Sequence, residues 1–321
     1  MIKIILAKFT ISLNFFLNLT QLAKKTPNQT TPTLMSHIDL HIHSTLSDGT
    51  SSPADIISKA RDKGISAISI TDHDTMDAYP DAILAGKKAG IEIIPGVEIT
   101  AHHQDRSLHI LGFGLQQNTP SLISGLQLIQ AARQDRNRRI LDKLQGFNLP
   151  ISFDDLPQGR GQTGRPHIAK ALVDNGIVRN EQEAFAKFLR KNGAAYASRE
   201  LLPVRQAIAM ISNAGGVAVL AHPGSLKITE QDLTSLIRQL MDDGLCGIET
   251  YHPMNSEKTV QFLLKLCHTS RLIVTGGSDF HGREGDKSPL GEAGGKRRVP
   301  AHLLTELKSR ISKNQARQES P

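Results

Sequence analysis

Histidines and acidic residues gather in four short motifs along this chain. These are His41-Ile42-His43 with Asp48 shortly after it, Asp72-His73-Asp74, Ala221-His222-Pro223, and Asp279-Phe280-His281. Glu98, which follows a Pro-Gly pair, and His109 lie between the second and third motifs. Neutral imidazoles and ionised carboxylates are side chains that bind divalent transition metals. The pattern therefore predicts a metal-dependent enzyme that carries out hydrolysis.

The spacing within two motifs supports a shared site. His41 and His43 are two residues apart, as are Asp279 and His281, so each pair faces one side of an extended chain. Taken singly, such residues have ordinary structural roles, for example as turn formers or buried core histidines. Their occurrence together makes a metal centre the better interpretation.

The number of candidate ligands exceeds what one ion binds. The nine candidates are His41, His43, Asp48, His73, Glu98, His109, His222, Asp279 and His281. A single tetrahedral or octahedral ion cannot use them all, so we expect about two or three ions. Mixed nitrogen and oxygen ligation without thiolates favours Mn²⁺, Zn²⁺ or Fe²⁺ over Ca²⁺. Asp72 or Asp74 is expected to orient the ring of His73.

Short apolar runs alternate with helical patterns from residue 38 onward, as in repeated βα units. Strands are predicted at residues 38–42, 67–70, 91–94, 108–115, 216–220, 247–251 and 272–275, and helices at 53–63, 77–89, 203–213, 230–243, 256–268 and 300–313. Parallel α/β proteins carry their chemistry at the carboxyl ends of strands, and nearly all candidate ligands follow such an end. His109, near the start of its strand, is the exception.

Residues 118–199 interrupt this alternation. They contain a long helix at 122–144, a glycine-rich loop at 159–164 and further helix from 165 to about 190. We expect residues 36–117 and 200–314 to form the main α/β domain, 118–199 to form a mostly helical insertion over its active edge, and 315–321 to be a tail. Arg165 is the first candidate for binding a second substrate phosphate, and a salt bridge beside the helix start is its alternative role. Weaker candidates are Arg199, Arg160, His167 and His252.

The composition favours a substrate that carries phosphate. Lys plus Arg exceed Asp plus Glu by seven, and the chain has ten Phe, three Tyr and no Trp. A positive balance attracts phosphates, while few aromatic residues argue against a broad base-stacking surface. Two cysteines form no disulfide framework or zinc motif, which favours a cytoplasmic protein. Residues 1–35 are predicted to be an extension, with translation starting at Met35, or alternatively a signal peptide.

The combined motifs resemble those of the PHP (polymerase and histidinol phosphatase) superfamily of metal-dependent phosphoesterases. The resemblance covers roughly residues 36–290. Asp39-Leu40-His41-Ile42-His43-Ser44, Gly164-Arg165-Pro166-His167 and Ala221-His222-Pro223-Gly224 are most similar to the TrpH/YciV-type branch. That branch includes nucleoside 3′,5′-bisphosphate phosphatases and the 5′→3′ exoribonuclease RNase AM.

The resemblance implies a fold and a division of the ligands. The fold would be a distorted (β/α)₇ barrel with an inserted, mostly helical subdomain. One ion would be held by His41, His43, Glu98 and Asp279, a second by Glu98, His109 and His222, and a third by Asp48, His73 and His281. Mn²⁺ is the expected metal, with Zn²⁺, Fe²⁺ or Mg²⁺ as alternatives.

The predicted activity is hydrolysis of nucleotide phosphate esters, from 3′,5′-bisphosphates, from the 5′ end of short RNA, or from both. Histidinol-phosphate phosphatase, a general oligonucleotide exonuclease and a regulatory metal-binding module without turnover are the alternatives. The expected partner is a nucleotide or short RNA. DNA sequence recognition, membrane attachment and an obligate protein partner are not expected.

Overall fold

Short strands alternate with amphipathic helices along most of the chain. The computed structural model describes residues 37–283 and 288–319. The strands are β1 (His37–Ile42), β2 (Ile65–Ile70), β3 (Glu92–Ile93), β4 (Gly96–His103), β5 (Arg106–Phe113), β6 (Leu202–Pro203), β7 (Val217–Leu220), β8 (Gly247–Tyr251), β9 (Ile273–Gly276) and β10 (Val299–Pro300). The α-helices are α1 (Pro53–Asp62), α2 (Tyr79–Ala89), α3 (Pro120–Gly146), α4 (Arg165–Asp174), α5 (Glu181–Ala184), α6 (Val204–Asn213), α7 (Glu230–Asp242), α8 (Glu257–Ser270) and α9 (Leu303–Glu319).

The strands form two sheets, with the orders β10-β1-β2-β3 and β6-β4-β5-β7-β8-β9. Backbone hydrogen bonds also join the two sheets to each other at two places near the strand ends. At one, the Asp279 N–H donates to His41 O at 2.9 Å; at the other, the Asp74 N–H donates to Glu98 O at 2.9 Å. The α/β class predicted from the sequence is confirmed, and isolated bridges at Ile42–Phe280 and His73–Glu98 join the two sheets.

Strand β5 runs in the opposite direction to its neighbours. It pairs antiparallel with β4 and β7, whereas β1–β2, β7–β8 and β8–β9 are parallel. The β4–β5 connection is therefore a hairpin without a helix, unlike the repeated βα units expected from the sequence. Because β5 is reversed, its first half lies beside the carboxyl end of β7, where the Ala221 N–H donates to His109 O at 3.0 Å. This explains why His109 is near the start of its strand.

Alternation along the strands directs polar side chains to the site. Val97 and Ile99 on β4 are fully buried in one hydrophobic cluster with residues of the helices α6 and α7. Successive side chains of a strand point to opposite faces of the sheet, so Glu98 lies on the face away from these helices. The sequence pattern predicts that Glu98 follows a strand at 91–94. The regular strand there is limited to Glu92–Ile93, and Glu98 belongs to β4.

Helix α1 shows how local signals fix the element boundaries. The Ser52 side chain accepts a hydrogen bond from the Asp55 N–H at 3.2 Å, and Pro53 occupies the first turn. Ser and Thr at this position satisfy an N–H group that the helix itself leaves unpaired. Thr229 and Ser256 cap α7 and α8 in the same way. These capped helices cover the sheets and leave the strand ends to form the site.

The residues between β5 and β6 have a hydrophobic cluster of their own. It is built from α3, α4 and the segments that follow, and includes Ile140, Leu144, Ile168 and Leu172. The helix predicted from 165 to 190 is divided into α4, α5 and a π-helical turn at Phe185–Leu189. Gly161 docks this region on the loop after β1: its φ is +105°, and a Cβ there would lie 2.6 Å from Leu46 O. The domain boundaries remain a prediction.

The C-terminal helix is longer than the sequence suggested. It continues to Glu319, past Lys313 and into the predicted tail. Asn314 donates to Gly216 O at 2.8 Å and Gln315 to Gly114 O at 3.1 Å, so side chains fix this last part to loops between strands. The predicted extension at residues 1–35 lies outside the described residues. No helix in the described part of the chain is long and apolar enough to span a bilayer.

Candidate metal centre and arginine cleft

The structure brings the nine candidate ligands together at the carboxyl edge of the parallel strands. A first group surrounds one point between β1 and the segment after β9. His41 Nε2 and His43 Nε2 are 3.1 Å apart, and Asp279 Oδ1 lies 3.4 and 3.2 Å from them. Glu98 Oε2 lies 3.5 and 3.3 Å from the same two nitrogens. Two imidazoles and two carboxylates therefore converge on one position.

A second group uses the other oxygen of Glu98. Glu98 Oε1 lies 2.7 Å from His109 Nδ1 and 2.9 Å from His222 Nε2, and these two nitrogens are 3.2 Å apart. The two histidines come from neighbouring antiparallel strands, β5 and the end of β7. Glu98 is thus placed to bridge the first and second groups.

A third group is centred on Asp48 in the loop after β1. Its Oδ1 lies 3.2 Å from His281 Nε2, 3.7 Å from His43 Nδ1 and 4.0 Å from His73 Nε2. The other nitrogen of His73, Nδ1, lies 2.9 Å from Glu98 Oε2. The division into three ion sites that the resemblance implied stays a prediction, and His43 and His73 each lie near atoms of two groups.

Several of these atoms are buried without a hydrogen-bonding partner. They are Glu98 Oε2, Asp48 Oδ1 and His73 Nδ1, although each lies near other ligand atoms. A buried polar atom without a partner costs free energy, so such atoms are rare unless an ion or ligand satisfies them. Divalent cations at the points where these atoms converge would satisfy all three. The donor set of imidazoles and carboxylates fits such ions.

The electrostatics of the cluster also favour cations. Burial alone would raise the pKa of Glu98, but the imidazoles of His109 and His73 hold this pKa well below its usual range. Burial would lower the pKa of His43, yet the carboxylates of Asp279 and Glu98 raise it to about 10. The carboxylates are therefore ionised near neutral pH, and positive charge is strongly stabilised among them.

A cleft of about 300 Å³ opens beside this cluster. Asp48, His73 and His109 form part of its wall. The opposite wall is basic and partly aromatic, with contributions from Arg133, Arg136, Arg165, Phe185, Tyr196 and Arg199. This volume is in the range of a small-molecule site. A ligand in the cleft would touch the metal-binding side chains and the guanidinium groups at once.

The guanidinium groups of the cleft outnumber the acids that pair with them. Asp74 forms ion pairs with Arg133 and with Arg199, the latter at 3.2 Å. Among the described residues, no carboxylate lies within ion-pair distance of Arg136 or Arg165. Burial and repulsion from Arg133 and Arg199 lower the pKa of Arg136 to about 8. Positive charge is costly here, and a bound anion would lower that cost.

Two of the five predicted phosphate-binding residues line this cleft, namely Arg165 and Arg199. The other three candidates are not among the residues that line this cleft. Arg160 is an exposed residue that pairs with Asp81 at 2.6 Å. His167 Nδ1 accepts the Gly164 N–H at 2.9 Å, capping α4. His252 is buried beneath the cluster, with Nε2 3.4 Å from Asp279 Oδ2.

The model of the PHP domain family matches residues 39–287 of the chain. The chain belongs to the PHP domain family. A 5′-3′ exoribonuclease from Haemophilus influenzae is 34% identical to it over 76% of this chain and 89% of the relative. A 3′,5′-nucleoside bisphosphate phosphatase from Chromobacterium violaceum is 31% identical over 77% and 88%, respectively. A solved structure from Bifidobacterium adolescentis, described as a candidate metal-dependent phosphoesterase, has a TM-score of 0.77 and 31% identity, covering 88% of this chain and 98% of its own.

Glu249 is a residue of this PHP domain that the sequence analysis missed. It is fully buried on β8, between Ile248 and Thr250. Its Oε1 accepts a hydrogen bond from His41 Nδ1 at 2.9 Å, and its Oε2 accepts one from the His222 N–H at 2.6 Å. Burial would raise its pKa, but His41 outweighs this and the pKa is lowered. A charged residue inside a predicted buried strand was the signal that could have found it.

Asp39 explains how the PHP domain positions Asp279. The Asp39 carboxylate accepts hydrogen bonds from the Ser278 N–H at 2.9 Å and the Ser278 hydroxyl at 2.6 Å, and so ties β1 to the segment after β9. A Cβ on Gly277 would lie 2.4 Å from His41 Cβ, so glycine is needed for this close approach. Asp279 itself has φ +53°, a strained conformation for a non-glycine residue that the surrounding hydrogen bonds maintain.

Asp72 and Asp74 have roles different from the one predicted. The Asp72 carboxylate accepts hydrogen bonds from the Ser44 N–H at 2.7 Å and the Ser47 hydroxyl at 2.5 Å, which fixes the loop that carries Asp48. Asp74 instead pairs with arginines of the cleft and accepts the Thr100 N–H at 2.9 Å. The expectation that one of them orients His73 is therefore wrong, because loop and cleft donors occupy both carboxylates.

Proposed function

We propose that this PHP protein is a metal-dependent phosphoesterase whose substrates are nucleotides with phosphate on both sides of the ribose. In this proposal it removes a phosphate from nucleoside 3′,5′-bisphosphates and can shorten RNA with a 5′-phosphate. The observation that carries it is the basic cleft directly beside three groups of metal ligands. One phosphate would reach the metal centre while a second contacts the arginines. The names of the relatives from Haemophilus influenzae and Chromobacterium violaceum support the same reaction.

The protein side chains for holding the ions fall into three sets. His41, His43, Glu98 and Asp279 would hold the first ion, Glu98, His109 and His222 the second, and Asp48, His73 and His281 the third. When bound, such ions activate water as a nucleophile and neutralise charge on phosphate oxygens. We propose Mn²⁺ as the ion, with Zn²⁺ or Fe²⁺ as alternatives, because imidazoles and carboxylates without thiolates favour these ions over Ca²⁺.

The residues of the cleft orient the substrate. The Arg165 guanidinium donates to Leu189 O at 3.2 Å through Nη1, which holds the group against the wall and leaves other N–H groups for a phosphate. Arg136 lies nearby without a carboxylate partner among the described residues. Guanidinium groups bind phosphate oxygens through paired, charge-assisted hydrogen bonds. The non-reacting phosphate is therefore held on the basic wall, and Phe185 and Tyr196 offer apolar contacts to the nucleoside.

A substrate panel tests this function. Full-length protein is supplied with Mn²⁺ and given adenosine 3′,5′-bisphosphate, adenosine 5′-monophosphate, histidinol phosphate and a short 5′-phosphorylated RNA. Phosphate release and RNA length are followed together. We expect the bisphosphate to be preferred over both monophosphates, because they lack the second anionic group. A preference for histidinol phosphate would reject the assignment.

An inactive variant distinguishes catalysis from a regulatory metal-binding role. Asp279→Ala removes a carboxylate from the first ligand group, so phosphate release should fall to background with all substrates. Release that persists unchanged in the metal-replete variant would show that the cluster is not the catalytic site. The proposal also includes a location in the cytoplasm and no recognition of DNA sequence. It covers both nucleotides and short RNA as substrates in the cell.

A further inference from the structure

The Glu249 carboxylate contacts two different groups of the metal centre. It has no exposed surface and lies on β8, beneath the ligand side chains. One oxygen accepts the His41 Nδ1 proton and the other accepts the His222 backbone N–H. His41 belongs to the first group and His222 to the second. Glu98 is the ligand that spans both groups, so Glu249 is a second link between them.

The contact with His41 determines which ring nitrogen faces the ions. A carboxylate can only accept here, so the proton of the neutral ring lies on Nδ1, 2.9 Å from Glu249 Oε1. Nε2 then keeps its lone pair, and Nε2 is the atom that lies 3.4 Å from Asp279 Oδ1. An imidazole that donates its other N–H to a carboxylate is better oriented and more basic as a metal ligand.

The contact with His222 maintains an unusual backbone conformation. His222 has φ +29° and ψ +59°, which is unfavourable for a residue with a side chain. Its N–H donates to Glu249 Oε2 at 2.6 Å, a short hydrogen bond to a charged acceptor. This conformation places His222 Nε2 2.9 Å from Glu98 Oε1. The carboxylate therefore positions a ligand through its backbone as well as one through its ring.

We propose that Glu249 is a positioning residue that couples the first and second ion sites. Loss of its charge would weaken both sites together and leave the third, centred on Asp48, intact. The contacts of Asp48, His73 and His281 in the described part of the chain do not include Glu249. This inference rests on the metal centre of the proposed function and is independent of which phosphate ester is the substrate.

Metal titration of full-length Glu249→Gln tests the coupling without any nucleotide. The amide has the same shape but cannot accept at both ends. Metal-free wild type and variant are titrated with Mn²⁺ by calorimetry, and retained Mn²⁺ is counted by elemental analysis after desalting. Thr275→Val is the matched control, because Thr275 pairs with Glu249 on the neighbouring strand, is also buried, and its hydroxyl has no hydrogen-bond partner among the described residues.

We expect Glu249→Gln to weaken the Mn²⁺ affinity of two of the three ion sites by about 10–100-fold. The affinity of the remaining site should stay within about threefold of wild type. Adding Asp48→Asn to this variant should then abolish tight Mn²⁺ binding at the remaining site. At saturating Mn²⁺, turnover of adenosine 3′,5′-bisphosphate should recover to within about fivefold of wild type, because the ligands themselves remain. Thr275→Val should match wild type throughout.

Three results would overturn the proposal: unchanged Mn²⁺ affinities, weakening of a single site, or equal weakening of all three. If Glu249→Gln does not fold by circular dichroism, the wild type provides the second measurement. In histidine-labelled, Zn²⁺-loaded wild-type protein, the His41 Nδ1 proton and the His222 amide proton should then both exchange slowly with solvent. Rapid exchange of either proton would reject the link. Absence of phosphatase activity would reject the proposed function but leave the titration result standing.

Discussion

The metal centre and the arginine cleft share one pocket but are built from different parts of the molecule. The ligands of the metal centre lie at strand ends, and buried carboxylates such as Asp39 and Glu249 fix them through backbone and ring hydrogen bonds. The cleft is formed mainly by α3, the start of α4 and the segment before β6, most of which lies in the predicted insertion at 118–199. The candidate metal ligands and the arginines of the cleft are therefore carried by different segments of the chain.

Asp74 contacts both the strands that carry the metal ligands and the arginines of the cleft. Its backbone N–H donates to Glu98 O where the two sheets meet, while its carboxylate pairs with Arg133 and Arg199. Burial would raise the pKa of the Asp74 carboxyl, but the guanidinium groups of Arg133 and Arg199 lower it to about 2, so Asp74 remains charged. We therefore expect that the candidate metal ligands and the arginines proposed to bind phosphate can be perturbed independently, as long as Asp74 is left in place.

The largest effect is expected from Glu98→Gln in the metal centre. The change keeps the shape of the side chain but removes the charge that both the first and second ligand groups use. We expect kcat for adenosine 3′,5′-bisphosphate to fall by at least about 10³-fold, as when a main electrostatic element of a site is lost. Glu92→Gln, on exposed β3, is the matched control and should retain activity. A loss below tenfold would contradict the bridging role.

A smaller effect is expected when metal is removed from the wild-type protein. Ions bind the folded state, so Mn²⁺ at about 100 times its dissociation constant adds about 2.7 kcal/mol to the free energy of unfolding. For a protein of this size we expect Tm to be about 4 °C lower after chelation. Differential scanning calorimetry measures this, with Ca²⁺ as the control ion that favours all-oxygen sites. An identical Tm with and without Mn²⁺ would argue against a metal centre.

The smallest effect, and the most selective, is expected in the cleft. Arg165→Met keeps most of the side-chain volume but removes the guanidinium. We expect kcat/KM to fall about 10–100-fold for the bisphosphate and less than about threefold for adenosine 5′-monophosphate, since only the former uses the second phosphate site. Steady-state kinetics on both substrates give the ratio. Arg160→Met should change neither, because Arg160 lies outside the cleft; equal losses for both substrates would reject the role of Arg165.

Some features of the site could be predicted because they are local. Alternating His41 and His43, and a capping Ser52 before Pro53, act through neighbouring residues, so their spacing is informative. The reversed strand β5 could not be read in this way. Its direction depends on pairing with β4 and β7, and a periodic apolar pattern is the same in either direction. His109 was thus recognised as a candidate while its place near a strand start had no explanation.

The partners of charged residues were the least predictable part. Arg133 and Arg136 lie on the long helix predicted at 122–144, yet nothing local indicates that they face the same cleft as Arg165. Arg160 carries the same charge in the adjacent loop and pairs with an exposed acid instead. Long-range pairing of this kind depends on how the inserted region docks against the loop after β1.

By itself, the sequence determined the α/β class, the set of metal-ligand candidates and the phosphoesterase family, because these depend on residue type, period and spacing along the chain. The tertiary structure alone decided which oxygen of Glu98 faces which histidines, that Glu249 supports His41 and His222, and which arginines enter the cleft. The physical reason is distance. A strand period and a helix cap act over a few residues, whereas the hydrogen bonds and charges of the site join residues that are far apart in the chain and meet only on folding.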